Sequence, residues 1–141
     1  MGGVGYFFRL AVEGFMILQL IWPAGYMIFV GTIWAVVLFH ILPEAHRRKA
    51  LVGALIPLVI PAVILVCGVL LVNDIDSDTL PPRWPEWIIG GLLLSHLPLT
   101  AVLIWWQKGA RWFVLCASLA VASYSCGAAF VSIMSVSGRW L

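Results

Sequence analysis

The sequence predicts an all-α integral membrane protein: four transmembrane helices in an antiparallel up-down bundle, with both termini on the outer, non-cytoplasmic side. Three observations predict it. Four long apolar stretches occupy most of the 141 residues, and hydrophobic residues make up 63% of the chain against 10% charged. Soluble domains carry roughly 25% charged residues, which excludes that class. A helix crosses roughly 30 Å of hydrocarbon with about 20 apolar residues. Four such helices leave no room for a separate soluble domain, so residues 1–141 read as a single domain. Finally, the basic residues are unevenly placed. Arg47, Arg48, Lys49, Lys108 and Arg111 fall on the connections after helices one and three, against Arg9, Arg83 and Arg139 on the opposite face. Short loops rich in Lys and Arg stay in the cytoplasm, which sets the orientation.

The first helix is expected over about residues 10–42. About 33 residues would rise roughly 50 Å, too far for one straight crossing. Arg9 and Glu13 lie one turn apart and can pair near a membrane surface. Pro23 has no N–H to offer the Gln19 carbonyl, so a kink is expected there. Two short crossings with a turn at Trp22–Gly25 would hold Arg9 and Glu13 in hydrocarbon at several kcal/mol, so one kinked helix is favoured. No basic region precedes the apolar run and no cleavage site follows it. Tyr6 stands where a myristoylation pattern needs Ser or Thr. The first helix is therefore expected to be retained.

A basic connection, Pro43–Lys49, leads to a second helix over about residues 51–72, which has no charge. Pro57 and Pro61 free the carbonyls of Gly53 and Pro57 on one face; helix curvature is the favoured outcome and an ion path the alternative. The next connection is acidic and proline-rich. Its Asp74, Asp76 and Asp78 alternate as a calcium loop begins, but the glycine and terminal glutamate of such a loop are missing. The third helix is expected over about residues 87–106, with Pro98 freeing the Leu94 carbonyl, and the fourth over about residues 112–136. Trp84, Trp87 and Trp140 would mark the outer interface, and Trp105, Trp106 and Trp112 the inner one, because indole is apolar with one wet N–H.

The fourth helix carries the clearest pattern. Ser118, Ala122, Ser125, Ala129 and Ser132 recur at alternating spacings of four and three, and helix one adds Gly31 and Ala35. Small residues let helices approach closely in lipid, so these positions are expected to pack against partner helices. The basic residues Arg47, Arg48, Lys49, Lys108 and Arg111 are expected to orient the chain and to meet phospholipid headgroups.

Reactive groups are sparse. Helices two, three and four contain no Asp, Glu, Lys or Arg, and no nucleophile–base pair, phosphate loop, CxxC or HExxH is present. The three cysteines fall in apolar runs and read as packing residues, and no metal site is expected. A haem held by two imidazoles would want both at one depth on facing helices. His96 lies near the middle of helix three and His40 near the cytoplasmic end of helix one, about 10 Å apart in depth. No cofactor is therefore expected, with haem or quinone at His96 or His40 as the alternative. Glu13 invites comparison with small proton-coupled exporters, but Arg9 can neutralise it.

The resulting expectation is a non-enzymatic accessory subunit of a larger membrane complex, of the electron-transfer or membrane-oxidase type. Its partners would be other integral membrane subunits and phospholipids, in a bacterial inner membrane. The formal net charge of +2 is too small to suggest nucleic acid. The rival readings are a haem- or quinone-binding electron-transfer protein and a small homo-oligomeric transporter or channel.

Overall fold

A computed structural model describes residues 3–20, 24–71 and 83–137. Every regular element among them is helical: α1 (Gly3–Leu20), α2 (Ala24–Ile41), α3 (Glu44–Leu55), a 3₁₀ turn (Ile56–Leu58), α4 (Val59–Leu70), α5 (Trp84–Leu94), α6 (His96–Trp106) and α7 (Arg111–Ser137). Pro23, the acidic connection with Asp74, Asp76 and Asp78, and the Arg139–Trp140 end lie outside the described residues.

α7 is the hub against which every other helix packs. It can serve several neighbours because much of its surface is small: Ser118, Ser123, Ser125, Gly127, Ala128, Ala129, Ser132 and Ser135 are all buried. Neighbouring helices come close enough that a Cβ on Gly14 would lie 3.4 Å from the backbone of Ala128. One on Gly31 would lie 3.0 Å from the Cys116 carbonyl.

The direction of each helix follows from its partners on α7. Tyr6 meets Ser135, Gly14 meets Ala128, Gly31 meets Ala120 and Phe39 meets Phe113. Partner numbers fall as the chain advances, so α1 and α2 lie end to end, antiparallel to α7. Gly53 meets Val114 and Gly68 meets Ser132, so α3 and α4 run parallel to α7. His96 meets Ser125, and the tight turn closed by Ala110 N–H to the Gln107 carbonyl returns α6 into α7, so α5 and α6 run antiparallel. Four rods therefore alternate in direction. Two apolar clusters fill the space between them. One gathers Leu10, Ile64, Ile89 and Val131 at the end where the chain begins. The other gathers Ala35, Ala50, Leu103 and Phe113 at the opposite end.

The first rod starts earlier than the expected residue 10, at Gly3, and is described as α1 up to Leu20 and α2 from Ala24, with residues 21–23 outside the described residues. A continuous helix from Tyr6 to Phe39 would rise about 50 Å, whereas α7 rises only about 33 Å between their partners Ser135 and Phe113. One straight helix cannot keep both contacts.

The second rod corrects the expected basic loop. Pro43, at φ −57° and ψ 141°, ends α2 and starts α3, which places Glu44 in a first helical turn. An acid there suits the helix dipole, and the Ala, Arg and Lys that follow are good helix formers. The basic segment is thus the opening of a rod running Glu44–Leu70. Pro57 falls in the 3₁₀ turn, where Val59 N–H reaches the Ile56 and Pro57 carbonyls, and Pro61 falls in the first turn of α4. The third rod breaks at Ser95, before Pro98. The Ser95 hydroxyl donates to the Leu92 carbonyl at 2.6 Å, and Leu99 N–H reaches back to the Ser95 carbonyl.

Three rods are long and apolar enough to cross a membrane: Glu44–Leu70, Trp84–Trp106 and Arg111–Ser137; Gly25–Ile41 is a shorter apolar helix. This composition is that of an integral membrane protein. Large apolar side chains cover the outside, among them Phe8, Phe29, Trp34, Leu55, Leu97 and Trp105.

Candidate functional site

Two places collect polar chemistry. The first is the basic end, where α2 finishes, α3 starts and the turn Gln107–Ala110 enters α7. Arg47 reaches back to cap α2: Nε donates to the Leu42 carbonyl at 3.1 Å and Nη2 to the His40 carbonyl at 3.3 Å. Basic side chains favour such last-turn carbonyls. The same guanidinium stands 5.8 Å from the centre of the Phe39 ring, within cation–π reach, and Phe39 leans on Phe113. Gln107 is buried and its amide donates to the Lys49 carbonyl, passing over Gly53, where any side chain would collide with it. Gly109 plays the same part for the ring of His46. These contacts fasten three rods at one level.

They leave two adjoining clefts. The larger, of about 470 Å³, has an apolar wall of Leu38, Ile41, Trp112 and Phe113 and a cationic edge of Lys108 and Arg111. The smaller, of about 200 Å³, is lined by His46, Lys49, Gln107 and Lys108. Lys108 and Gly109 border both. Among the described residues the one acid at this end is Glu44, 4.0 Å from Arg47, so the surroundings of the clefts are strongly positive. Arg48, Lys49, Lys108 and Arg111 are exposed.

The second place is a polar file down α7. At the far end Ser135 donates to the Gly68 carbonyl at 3.0 Å. Its single proton is thereby used, so Tyr6 is the donor in the 2.8 Å bond between Tyr6 and Ser135. Three rods are pinned by this relay. Midway, Ser125 donates to the Val121 carbonyl at 2.9 Å, so it accepts from His96 Nε2 at 2.7 Å. That assigns the His96 proton to Nε2 and leaves Nδ1 as a lone pair. Buried at 4% exposure, His96 Nδ1 has no hydrogen-bond partner, and Ser118 Oγ and Ser132 Oγ share that condition.

His96 and His40 are not brought together. His40 is exposed at the end of α2, its Nδ1 on the Val36 carbonyl, beside the Phe39–Phe113 contact. His96 stands at Ser125, about 18 Å further along α7 by helix rise. Glu13 takes Arg9 Nε at 2.6 Å on a partly exposed face. Among the described residues no group of three His, Cys, Asp or Glu side chains converges, and the three cysteines are free.

The small-residue stripe is occupied within the chain. Ser118, Ser125, Ala129 and Ser132 are buried, Ala122 is half-buried, and Gly31 and Ala35 close on α7 from α2. The helices they admit are those of this molecule. Sequence reasoning did not single out the outward glycines of the third rod. A Cβ on Gly90 or Gly91 would meet nothing within 4 Å. Adjacent glycines inside a helix, each less favourable than alanine by up to about 1 kcal/mol, were the available signal. Gln107, Gly53 and Gly109 were missed as well. No known protein family, curated protein or solved structure matches this chain.

Proposed function

We propose that the chain is a non-catalytic accessory subunit of a larger membrane assembly, crossing the bilayer four times with its basic end in the cytoplasm. A bacterial inner membrane suits the Lys and Arg distribution. The depth fits: Trp87 and Trp105, both exposed on the third rod, stand about 27 Å apart by helix rise, close to the thickness of hydrocarbon. The first rod crosses as two stacked pieces, α1 and α2.

One observation carries the subunit reading. The third rod is 17% buried over its apolar window, against 39% and 44% for its neighbours, and its outward face holds glycines that no internal contact requires. Small residues facing outward are what a close-packed partner helix needs in lipid, where the hydrophobic drive is absent. The electron-transfer or oxidase type of complex remains the class in which we place it, with other integral membrane subunits as partners.

The test is isolation in mild detergent with native mass measurement. The expected result is a complex containing other membrane polypeptides in fixed ratio. Gly91→Leu should release this chain at its own 15.5 kDa with helical content kept, because Gly91 is exposed and a Cβ there meets nothing within 4 Å inside the monomer. A wild-type chain that runs as a lone monomer, or only as copies of itself, overturns the reading; the second outcome would favour a homo-oligomeric channel or transporter.

A further inference from the structure

We infer that the two clefts at the basic end form one binding site for an anionic phospholipid whose headgroup joins two phosphates, as in diphosphatidylglycerol. The site has the three parts such a ligand requires. The larger cleft joins a cationic edge, Lys108 and Arg111, to an apolar wall of Leu38, Ile41, Trp112 and Phe113. A phosphate at the edge would therefore have its acyl chains directed along the wall. At about 470 Å³ the cleft is within the usual range for a bound organic group. The smaller cleft supplies a second basic position through His46 and Lys49. Lys108 and Gly109 are common to both, so two phosphates in one headgroup can occupy them together while a single phosphate fills only one.

Charge and depth agree. Basic pockets between transmembrane helices on the cytoplasmic side are where multiply charged lipid headgroups bind. Glu44, the one described acid at this end, is directed to Arg47, which itself is held on the α2 carbonyls. Among the described residues Lys108 and Arg111 have no such engagement, and both are exposed. Trp106 and Trp112, 62% and 72% exposed, border the clefts at the level where indole prefers the headgroup boundary. The first helical N–H to bond back in α7 is that of Val114, to Ala110, so the amides before it add to the attraction for an anion.

The inference rests on the membrane placement proposed above. The experiment is therefore done on chain that resists carbonate extraction from bilayers; failure at that step would overturn the placement and leave the site with no lipid to bind. The chain is placed in phosphatidylcholine discs that contain, in turn, no anionic lipid, phosphatidylglycerol, or diphosphatidylglycerol, and retained lipids are counted by native mass spectrometry. One diphosphatidylglycerol per chain is expected, retained in preference to phosphatidylglycerol. Lys108→Gln with Arg111→Gln should weaken it about 30-fold, from roughly one basic-residue contribution at each position. Arg83→Gln, at the opposite end of the third rod, should leave it unchanged. Circular dichroism of each variant guards against loss of the fold. Equal retention of phosphatidylglycerol overturns the two-phosphate assignment. Equal retention by the double variant overturns the site. Displacement of the lipid by millimolar inorganic phosphate would show a site for free anion and overturn the lipid assignment.

Discussion

Gly68→Ala is expected to destabilise the bundle by about 1–3 kcal/mol, the usual range for forcing atoms into a packed interior. A Cβ on Gly68 would lie 2.5 Å from Ser132 Oγ, 2.7 Å from its Cβ and 3.0 Å from its Cα. Rotating the serine removes the first conflict and leaves the other two, because Cβ and Cα move only with the helix. α4 and α7 must then part. The parting also stretches the bond from Ser135 to the Gly68 carbonyl, and with it the one from Tyr6. Interhelical hydrogen bonds in lipid contribute roughly 0.6–2 kcal/mol each, so the relay adds to the loss. Reversible unfolding by denaturing detergent, followed by circular dichroism, reads the difference. Ser132→Gly should recover part of it, since it deletes two of the three colliding atoms. Wild-type stability in Gly68→Ala would mean that α4 and α7 do not approach as described.

At the other end Gly53→Ala is expected to cost a similar amount for a different reason. Its Cβ would strike the amide of Gln107, with Cδ at 3.1 Å, and expel it from the Lys49 carbonyl. A buried amide left without its partner carries a penalty of about 1–3 kcal/mol. Here the obstacle is the end of a side chain rather than a backbone. In a Gln107→Ala background Gly53→Ala should therefore be milder, with a coupling of at least about 1 kcal/mol in a double-mutant cycle. Strict additivity of the two substitutions would separate Gly53 from Gln107 and undo the account of how the basic end is fastened.

The two glycines also mark the limit of what the sequence discloses. α7 was legible nearly to its ends: expected over residues 112–136, it runs Arg111–Ser137, because no proline interrupts it and a basic turn bounds its start. The third rod was legible as interrupted near Pro98, but the place of the interruption, at Ser95, was not, because a missing N–H does not say where along the turn before it the helix gives way. The segment Glu44–Lys49 was misread as a loop because hydropathy reports depth in lipid, not backbone conformation. Its charges leave the bilayer while its helix continues.

The basic residues of the candidate site were legible as charges. The clefts were not, since they are shaped by Gln107 reaching Lys49 and by His46 lying on Gly109, contacts between rods distant in sequence. The small-residue stripe on α7 was legible as a packing surface. Which helices it receives is a matter of topology, and a periodic pattern on one helix carries no address for its partner. Likewise His96 was visible as a lone imidazole deep in the third rod, whereas its bond to Ser125 depended on how α6 and α7 are rotated.

Everything proposed here presumes that the rods alternate across a bilayer with Arg48 and Lys108 on the cytoplasmic face. Single cysteines placed at Val4, Arg48, Glu86 and Lys108 in a background lacking Cys67, Cys116 and Cys126 test this directly with a membrane-impermeant thiol reagent. The account predicts labelling at positions 4 and 86 from outside intact cells, and at positions 48 and 108 only after the membrane is opened. Labelling of 48 and 108 from opposite sides, or of all four from one side, would contradict it.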